Sequence, residues 1–443
     1  MYKKFSILVM ALFTTLLLWG CTTGAQQTTK QPEKAVNINE TAKSQSLGLY
    51  KTINHYKENQ SQGIGKPQKL IFSMTYESLL PMSDTDIANI KTLLAVSRYP
   101  ELTAAFDRIN ESTQDILHRY NKRASIAKNA SRDSGFSKAY DNSTVLLCRA
   151  DAHVLSFIRS NLRYDGVSRP NGSTKSFNYD TETGSLLSLG DVCQDSKLLT
   201  QTIIARLHND YPNKKFSPDM EQKVEKQLAE NRLEWVFTSR GITFYFNVYE
   251  IAPRSEGSFN VSIMFDEKPE LFVKKYINGA SSYATYLSIG KNNISLKDDS
   301  NGHSDEITLS TLGGHSNKIT GLKLELNSAK YEDSFNNVIE SFIPIHIHTK
   351  DGRNYLYLDC AHKNDSDREL RIYDLNGSTP SLVKVMPNTL RHKATKGSEI
   401  YEWEWLITDP ESFYLDDIES AAKDGKVRSR IAHVSKDGTP AFD

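Results

Sequence analysis

Apolar and polar residues recur with two different periods along residues 66–278. Residues 69–76 and 154–164 are rich in β-branched, aromatic and other apolar side chains, which favours strands. Apolar residues recur every three or four positions through 102–117 and 198–207, which predicts helices with one apolar stripe. Strand and helix signals thus follow one another, and the pattern predicts a mixed helix-and-sheet domain of the α+β class.

The pattern changes near Asn278, after which the sequence is almost wholly strand and turn. We therefore expect a boundary there and a smaller all-β domain over residues 279–443. Asp351-Gly352 predicts a two-residue hairpin turn, which would place His348 opposite Tyr355. His346 lies two residues earlier, so alternation predicts that both histidines share a polar outer face.

The first residues have the pattern of a bacterial lipoprotein signal peptide, which we assign to residues 1–20. Lys3 and Lys4 precede an apolar run from Phe5 to Trp19, and Gly20-Cys21 follows. The run is shorter than the roughly 20 apolar residues that a spanning helix needs. Cys21 is the expected lipid anchor, which would hold the protein to the membrane, facing outside the cytoplasm in the cell envelope. An ordinary secretory signal or an uncleaved anchor remains the alternative.

Residues 21–65 are rich in Thr, Gln, Lys, Ser and Asn and contain few aliphatic side chains. Such a segment buries too little apolar surface to offset the loss of chain entropy. We expect a flexible tether between the anchor and the folded part.

The balance of charged residues narrows the possible partners. Lys plus Arg and Asp plus Glu number 54 each, so no net positive field favours a nucleic-acid partner.

Of the cysteines beyond Cys21, Cys148 and Cys193 fall in the same predicted domain and form a possible disulfide. Three free thiols are the alternative. Hairpin alternation buries Cys360, which we expect to be structural.

Motifs for catalysis are missing from the sequence. No nucleophile elbow, phosphate loop or dinucleotide fingerprint is present. His346 and His348 gather no third ligand, whereas a catalytic zinc needs three. We expect no catalytic residue, no metal and no cofactor, and hence a protein that is not an enzyme.

The run from Gly241 to Pro253 contains the candidate ligand-binding residues. Strand alternation would place Phe244, Phe246 and Val248 on one face, and Tyr245, Asn247 and Tyr249 on the other. The hydroxyl-bearing face could bind a sugar or a protein, with candidate contacts from Tyr245, Tyr249, Glu250 and Pro253. The alternatives are that these tyrosines cover a helix, or that the site lies in the loop at 165–172.

Residues 69–277 resemble the extracytoplasmic domain shared by RsiV-type anti-sigma factors and PdaC-type peptidoglycan deacetylases. The resemblance depends on Tyr99-Pro100, on the stretch 179–184 and on the run 241–253. It implies an α+β fold and an envelope location. It does not imply catalysis, because in the deacetylases this domain accompanies a separate catalytic domain, and in the anti-sigma factors it is a receptor that senses lysozyme. Residues 165–170 depart from the family pattern.

Together these features predict a cell-envelope lipoprotein that acts as a non-catalytic binding module, for peptidoglycan or for a lysozyme-like protein. One alternative is a cell-wall-modifying enzyme accessory or a hydrolase. The other is a structural lipoprotein of envelope assembly.

Overall fold

The computed structural model describes residues 45–443 except 62–63, 65, 91, 133–134, 297–304, 314–317, 363–367, 388, 397–398 and 419–427. The predicted signal peptide and Cys21 lie outside the described residues. In the part of the chain that the structure describes, no helix combines the length and hydrophobicity needed to cross a membrane.

Strands and helices alternate in the first part of the chain. The strands are β1 (Ser46–Leu47), β2 (Leu49–Gln60), β3 (Lys69–Pro81), β4 (Leu93–Leu94), β5 (Ala139–Ala150), β6 (Val154–Tyr164), β7 (Asn171–Asp180), β8 (Glu234–Phe237), β9 (Gly241–Phe246) and β10 (Phe259–Met264). The helices are α1 (Asp84–Ala88), α2 (Pro100–Ile109), α3 (Thr113–Ala130), α4 (Leu189–Val192), α5 (Ser196–Asp210), α6 (Met220–Ala229) and α7 (Lys274–Ile277). The predicted α+β class is confirmed.

Strands dominate the rest of the chain. They are β11 (Tyr283–Tyr286), β12 (Gly290–Ile294), β13 (Asp305–Leu312), β14 (Ile319–Leu326), β15 (Ala329–His348), β16 (Asn354–His362), β17 (Arg368–Asp374), β18 (Ser381–Met386), β19 (Arg391–Lys396), β20 (Glu399–Trp405), β21 (Phe413–Asp416), β22 (Ser429–Val434) and β23 (Pro440–Phe442).

Two large sheets contain most of these strands. The first has the order β19-β20-β2-β3-β5-β6-β7, and the second has the order β12-β13-β14-β15-β16-β17-β18 with β11 also paired to β15. In the first sheet β3 and β5 run parallel, joined through α1, α2 and α3, and the other pairs are antiparallel. Three small sheets, β1-β4, β10-β9-β8 and β21-β22-β23, contain the remaining described strands.

The apolar stripe predicted through 102–117 belongs to two helices. Pro100 occupies the first turn of α2, where its missing N–H is not needed, and Ser112 caps α3 by accepting the Asp115 N–H. Between them the Asn110 side chain accepts the Leu79 N–H at 3.1 Å and donates to the Leu79 carbonyl at 2.8 Å. These bonds tie the break between the helices to β3.

The predicted tether is wrong from residue 46 onward, because β2 is an interior strand of the first sheet. Its polar residues find partners on distant strands. The Lys51 amine lies 3.2 Å from the Glu77 carboxylate and 3.1 Å from that of Glu404, and all three side chains are buried. Because those partners lie elsewhere in the sequence, the polar composition of β2 by itself resembles that of a disordered segment.

The hairpin between β15 and β16 differs from the prediction by one residue. Three residues, 350–352, form the loop, with Gly352 at φ 79°, and His348 pairs with Asn354 rather than Tyr355. His346 and His348 are buried, at 1% and 2% exposure, so the predicted polar outer face is also wrong. Both rings donate to the Asn354 side-chain oxygen, at 3.0 and 2.9 Å.

The expected boundary near Asn278 does not separate two cores. The described residues from 45 onward form one unit, and β20 pairs with β2. One hydrophobic cluster joins Leu147 and Phe157 of the first sheet to Ile345 and Tyr357 of the second. The sheets bury their apolar faces together, which a local change of pattern could not indicate. A separate cluster holds β8–β10 against α5 and α6.

Candidate functional site

The strand that contains the candidate residues is shorter than alternation predicted. β9 ends at Phe246, and the Glu250 N–H donates to the Asn247 carbonyl at 3.1 Å to form a turn. Tyr249 lies in this turn at φ 74°, a left-handed conformation that is uncommon for a bulky residue. Its ring is 63% exposed. The turn therefore holds an aromatic ring out toward solvent at a conformational cost.

Tyr245 lies apart from Tyr249. Its ring packs against Cys148, Ile158 and Val236, between β8 and the first sheet. Burial raises the pKa of its hydroxyl well above the usual 10.0. The structure thus does not place the two candidate tyrosines on one exposed face: Tyr249 is exposed, whereas Tyr245 is partly buried.

Glu250 and Asn247 shape the turn. The Glu250 carboxylate accepts the Asn247 backbone N–H at 2.7 Å and the Asn247 side-chain amide at 3.1 Å. The Asn247 side-chain oxygen accepts the Thr174 N–H of β7 at 3.2 Å. These bonds attach the turn to the edge of the first sheet, so Glu250 positions Tyr249.

Pro253 is exposed and precedes a one-turn 3-10 helix, Arg254–Glu256. The Arg254 guanidinium lies 5.9 Å from the centroid of the Tyr249 ring. Within the described residues no carboxylate pairs with Arg254. Its charge is therefore available beside the exposed ring.

Hydrogen bonds within the loop at 165–172 hold its backbone in place. The Asp165 carboxylate accepts the backbone N–H groups of Ser168 and Val167, at 2.8 and 3.0 Å, and these bonds lower the pKa of Asp165 to about 2. Gly166, at φ 94°, packs on Phe136, and a Cβ at this position would lie 2.1 Å from that ring. Only glycine fits there.

The turn, the 3-10 helix and this loop border one pocket of 340 Å³, which we call the loop pocket. Its lining residues come from the end of the β6–β7 hairpin and from the segment after β9: Ser160, Asn161, Leu162, Pro170, Asn171, Gly172, Ser173, Thr174, Asn247, Val248, Tyr249, Arg254 and Ser258. The two regions that the sequence offered as alternative sites therefore meet in one place.

The loop pocket combines hydrogen-bonding groups with exposed apolar surface. The side chains of Asn161 and Asn171 hydrogen-bond to no described residue, so both amides can donate to and accept from a ligand. Leu162 and Val248 are 46% and 39% exposed beside Tyr249. The volume lies within the range of about 300–1,000 Å³ found for small-molecule sites. Such a lining suits a polar ligand with apolar faces.

Among the described residues no group of three His, Cys, Asp or Glu side chains is arranged to hold a metal ion. Cys148, Cys193 and Cys360 are free thiols in the structure. Cys148 and Cys193 pack in different hydrophobic clusters, so the predicted disulfide is not formed. Cys360 is fully buried, as expected.

A larger groove of 720 Å³ runs between α5 and α6, and sequence reasoning did not foresee it. Leu199, Ile204 and Leu228 give it an apolar wall, with Lys197 and Glu225 at its rim. Only the apolar stripes of the two helices could have signalled it, and those stripes equally predict core packing.

Comparison with protein families identifies one segment. Residues 195–266 match the model of DUF3298, described as a protein of unknown function. Residues 195–266 form a DUF3298 domain. The domain covers α5, α6 and β8–β10 and lies inside the segment that resembles the RsiV and PdaC type. It contributes Asn247, Val248, Tyr249, Arg254 and Ser258 to the loop pocket, and the β6–β7 hairpin contributes the rest.

Two solved structures of DUF3298 proteins are similar to this chain. One, from Bacteroides fragilis, has 16% identity and a TM-score of 0.34, and the match covers 52% of this chain and 96% of that protein. The other, from Pseudomonas aeruginosa, has 14% identity and a TM-score of 0.34, covering 54% and 99%. No functionally curated protein matches the sequence.

Proposed function

We propose that this protein is a cell-envelope lipoprotein that acts as a non-catalytic binding module, and that its loop pocket holds a glycan such as peptidoglycan. The single observation that supports this most is the composition of the pocket. An exposed tyrosine ring, two amides that hydrogen-bond to no described residue and several hydroxyls share one concave surface. The location outside the cytoplasm rests on the signal-peptide pattern of residues 1–20.

A sugar matches this surface for physical reasons. Its hydroxyls need donors and acceptors when they leave water, and Asn161 and Asn171 offer both. Its C–H faces are apolar and pack on an aromatic ring, which Tyr249 offers without losing much side-chain freedom. Leu162 and Val248 flank the ring and would exclude water from the contact.

Glu250 and Arg254 favour a glycan over a basic, lysozyme-like protein. A basic protein would need a free carboxylate on this surface, but the Glu250 carboxylate already accepts two hydrogen bonds from Asn247. Arg254, the exposed charge of the pocket, would repel a cationic surface. A hydrolase would instead cleave its glycan, and an assembly lipoprotein would bind proteins and no glycan.

The test uses residues 22–443, purified without the lipid anchor, and sedimentation with insoluble peptidoglycan. Tyr249→Ala should weaken binding about tenfold, which corresponds to about 1.4 kcal/mol and to an aromatic contact. Val385→Ala is the matched control, because Val385 is also exposed but lies on β18. Soluble fragments released from the polymer would support the hydrolase.

A second variant tests the pocket by filling it. A Cβ on Gly172 would lie 3.6 Å from Leu162 Cδ1 and 3.8 Å from the Asn161 carbonyl, both ordinary contacts. Gly172→Val should therefore fold normally and still reduce binding. If peptidoglycan binds equally well to folded Tyr249→Ala and Gly172→Val proteins, the loop pocket is not the site.

A further inference from the structure

We infer that the ligand of the loop pocket is an anionic glycan, whose carboxylate pairs with Arg254. This inference rests on the proposed function and narrows it to one class of sugar. It depends on the charge of the pocket, on the state of the neighbouring carboxylates and on the geometry of the guanidinium.

Arg254 is the only charged residue among the thirteen that line the pocket. Around the hairpin end the exposed cations Arg163, Arg169 and Lys175 outnumber the one carboxylate, Asp165. The whole chain, in contrast, has a formal net charge of zero. The lining of the pocket is thus positively charged through Arg254, which would attract an anion.

The acidic groups nearest to Arg254 in sequence have other partners. The Glu250 carboxylate binds Asn247, and the Glu256 carboxylate lies 3.5 Å from the Lys214 amine. Asp165 accepts hydrogen bonds from its own loop. No described carboxylate therefore neutralises Arg254, and a ligand can supply the missing negative charge.

The guanidinium also lies beside an aromatic ring. Pro253 fixes the start of the 3-10 helix at φ −58°, and the Tyr249 ring lies beside the Arg254 side chain. A planar guanidinium binds a carboxylate through two parallel N–H···O bonds. A sugar that packs on Tyr249 would bring its own carboxylate within reach of Arg254, whereas a neutral sugar leaves that charge without a partner.

The experiment compares two forms of one polymer. Glycan strands freed of peptide by an amidase carry lactyl carboxylates, and coupling these to ethanolamine converts them to neutral amides. Calorimetry with residues 22–443 should show at least tenfold tighter binding of the acidic strands at low salt. The difference should shrink in 0.5 M NaCl, because salt screens exposed charges.

Variants assign the effect to Arg254. Arg254→Gln should abolish the preference for acidic strands, while Arg254→Lys should keep part of it. Arg98→Gln is the matched control, since Arg98 is exposed on a different 3-10 helix and its loss changes the net charge equally. Circular dichroism checks that each variant is folded.

The outcomes separate the inference from the proposed function. Equal binding of both forms, or an acidic preference that survives Arg254→Gln, would overturn the inference and leave a glycan-binding protein. If neither form nor intact peptidoglycan binds, the proposed function itself fails, and the inference fails with it.

Discussion

The buried histidine pair leads to a pH-dependent stability that can be measured. His346 is 1% exposed, and its Nε2–H donates to the Asn354 side-chain oxygen at 3.0 Å. His348 donates to the same oxygen, and the Tyr283 ring stacks on His348 with centroids 4.8 Å apart. Burial, with a smaller contribution from the neighbouring His348, lowers the pKa of His346 to about 3. The ring is therefore neutral in the folded protein.

The size of the effect follows from the difference in proton binding between the two states. The unfolded chain takes up a proton near the ordinary pKa of about 6.5, whereas folded His346 resists it down to about 3. The contribution of neutral His346 to the free energy of unfolding is thus complete above pH 6.5, and it is lost as the pH falls toward 3. Each pH unit between the two values is worth about 1.36 kcal/mol, so pH 4 removes about 3 kcal/mol.

His346→Gln isolates this contribution, because the amide can still donate to Asn354 but does not titrate. Urea unfolding at pH 4, 5, 6 and 7, followed by tryptophan fluorescence, gives the unfolding free energies of both proteins. The unfolding free energy of the wild type, relative to that of His346→Gln, should fall by about 3 kcal/mol between pH 6.5 and pH 4. His118→Gln, at an exposed histidine of α3, is the matched control. A constant difference between wild type and His346→Gln would refute the reasoning.

Three further predictions concern the buried charge of Lys51, the thiol of Cys360 and the lipid anchor at Cys21. Lys51→Met should destabilise the fold by about 3–5 kcal/mol in urea, because it leaves Glu77 buried without its cation and leaves Glu404 with Arg391 alone; a loss below 1 kcal/mol would contradict this. Native protein should resist alkylation at Cys360, where burial raises the thiol pKa, and react only in denaturant. Cys21→Ser should abolish acyl labelling and leave unprocessed precursor, and persistent labelling would argue against the lipid anchor.

Part of the candidate site could be predicted from local sequence. The run around Tyr249 and the glycine-containing loop at 165–172 both stood out, and both line the loop pocket. Their meeting could not be predicted, since it depends on the hydrogen bond by which Asn247, in the turn after β9, accepts the Thr174 N–H of β7. The two tyrosines of this run also have different roles from those predicted. The strand ends at Phe246, so Tyr249 lies exposed in the turn while Tyr245 packs against a hydrophobic cluster.

The sequence by itself determined the elements whose signals are local: strands such as β6, helices such as α5, and the α+β class that their succession implies. Periodicity and capping act over a few residues, so a window of sequence contains their cause. Tertiary structure alone decided that β2 joins β20, which lies more than 300 residues away, and that Lys51 is buried between carboxylates. A polar residue becomes stable inside a protein only when partners arrive from elsewhere, and no local pattern records where those partners are.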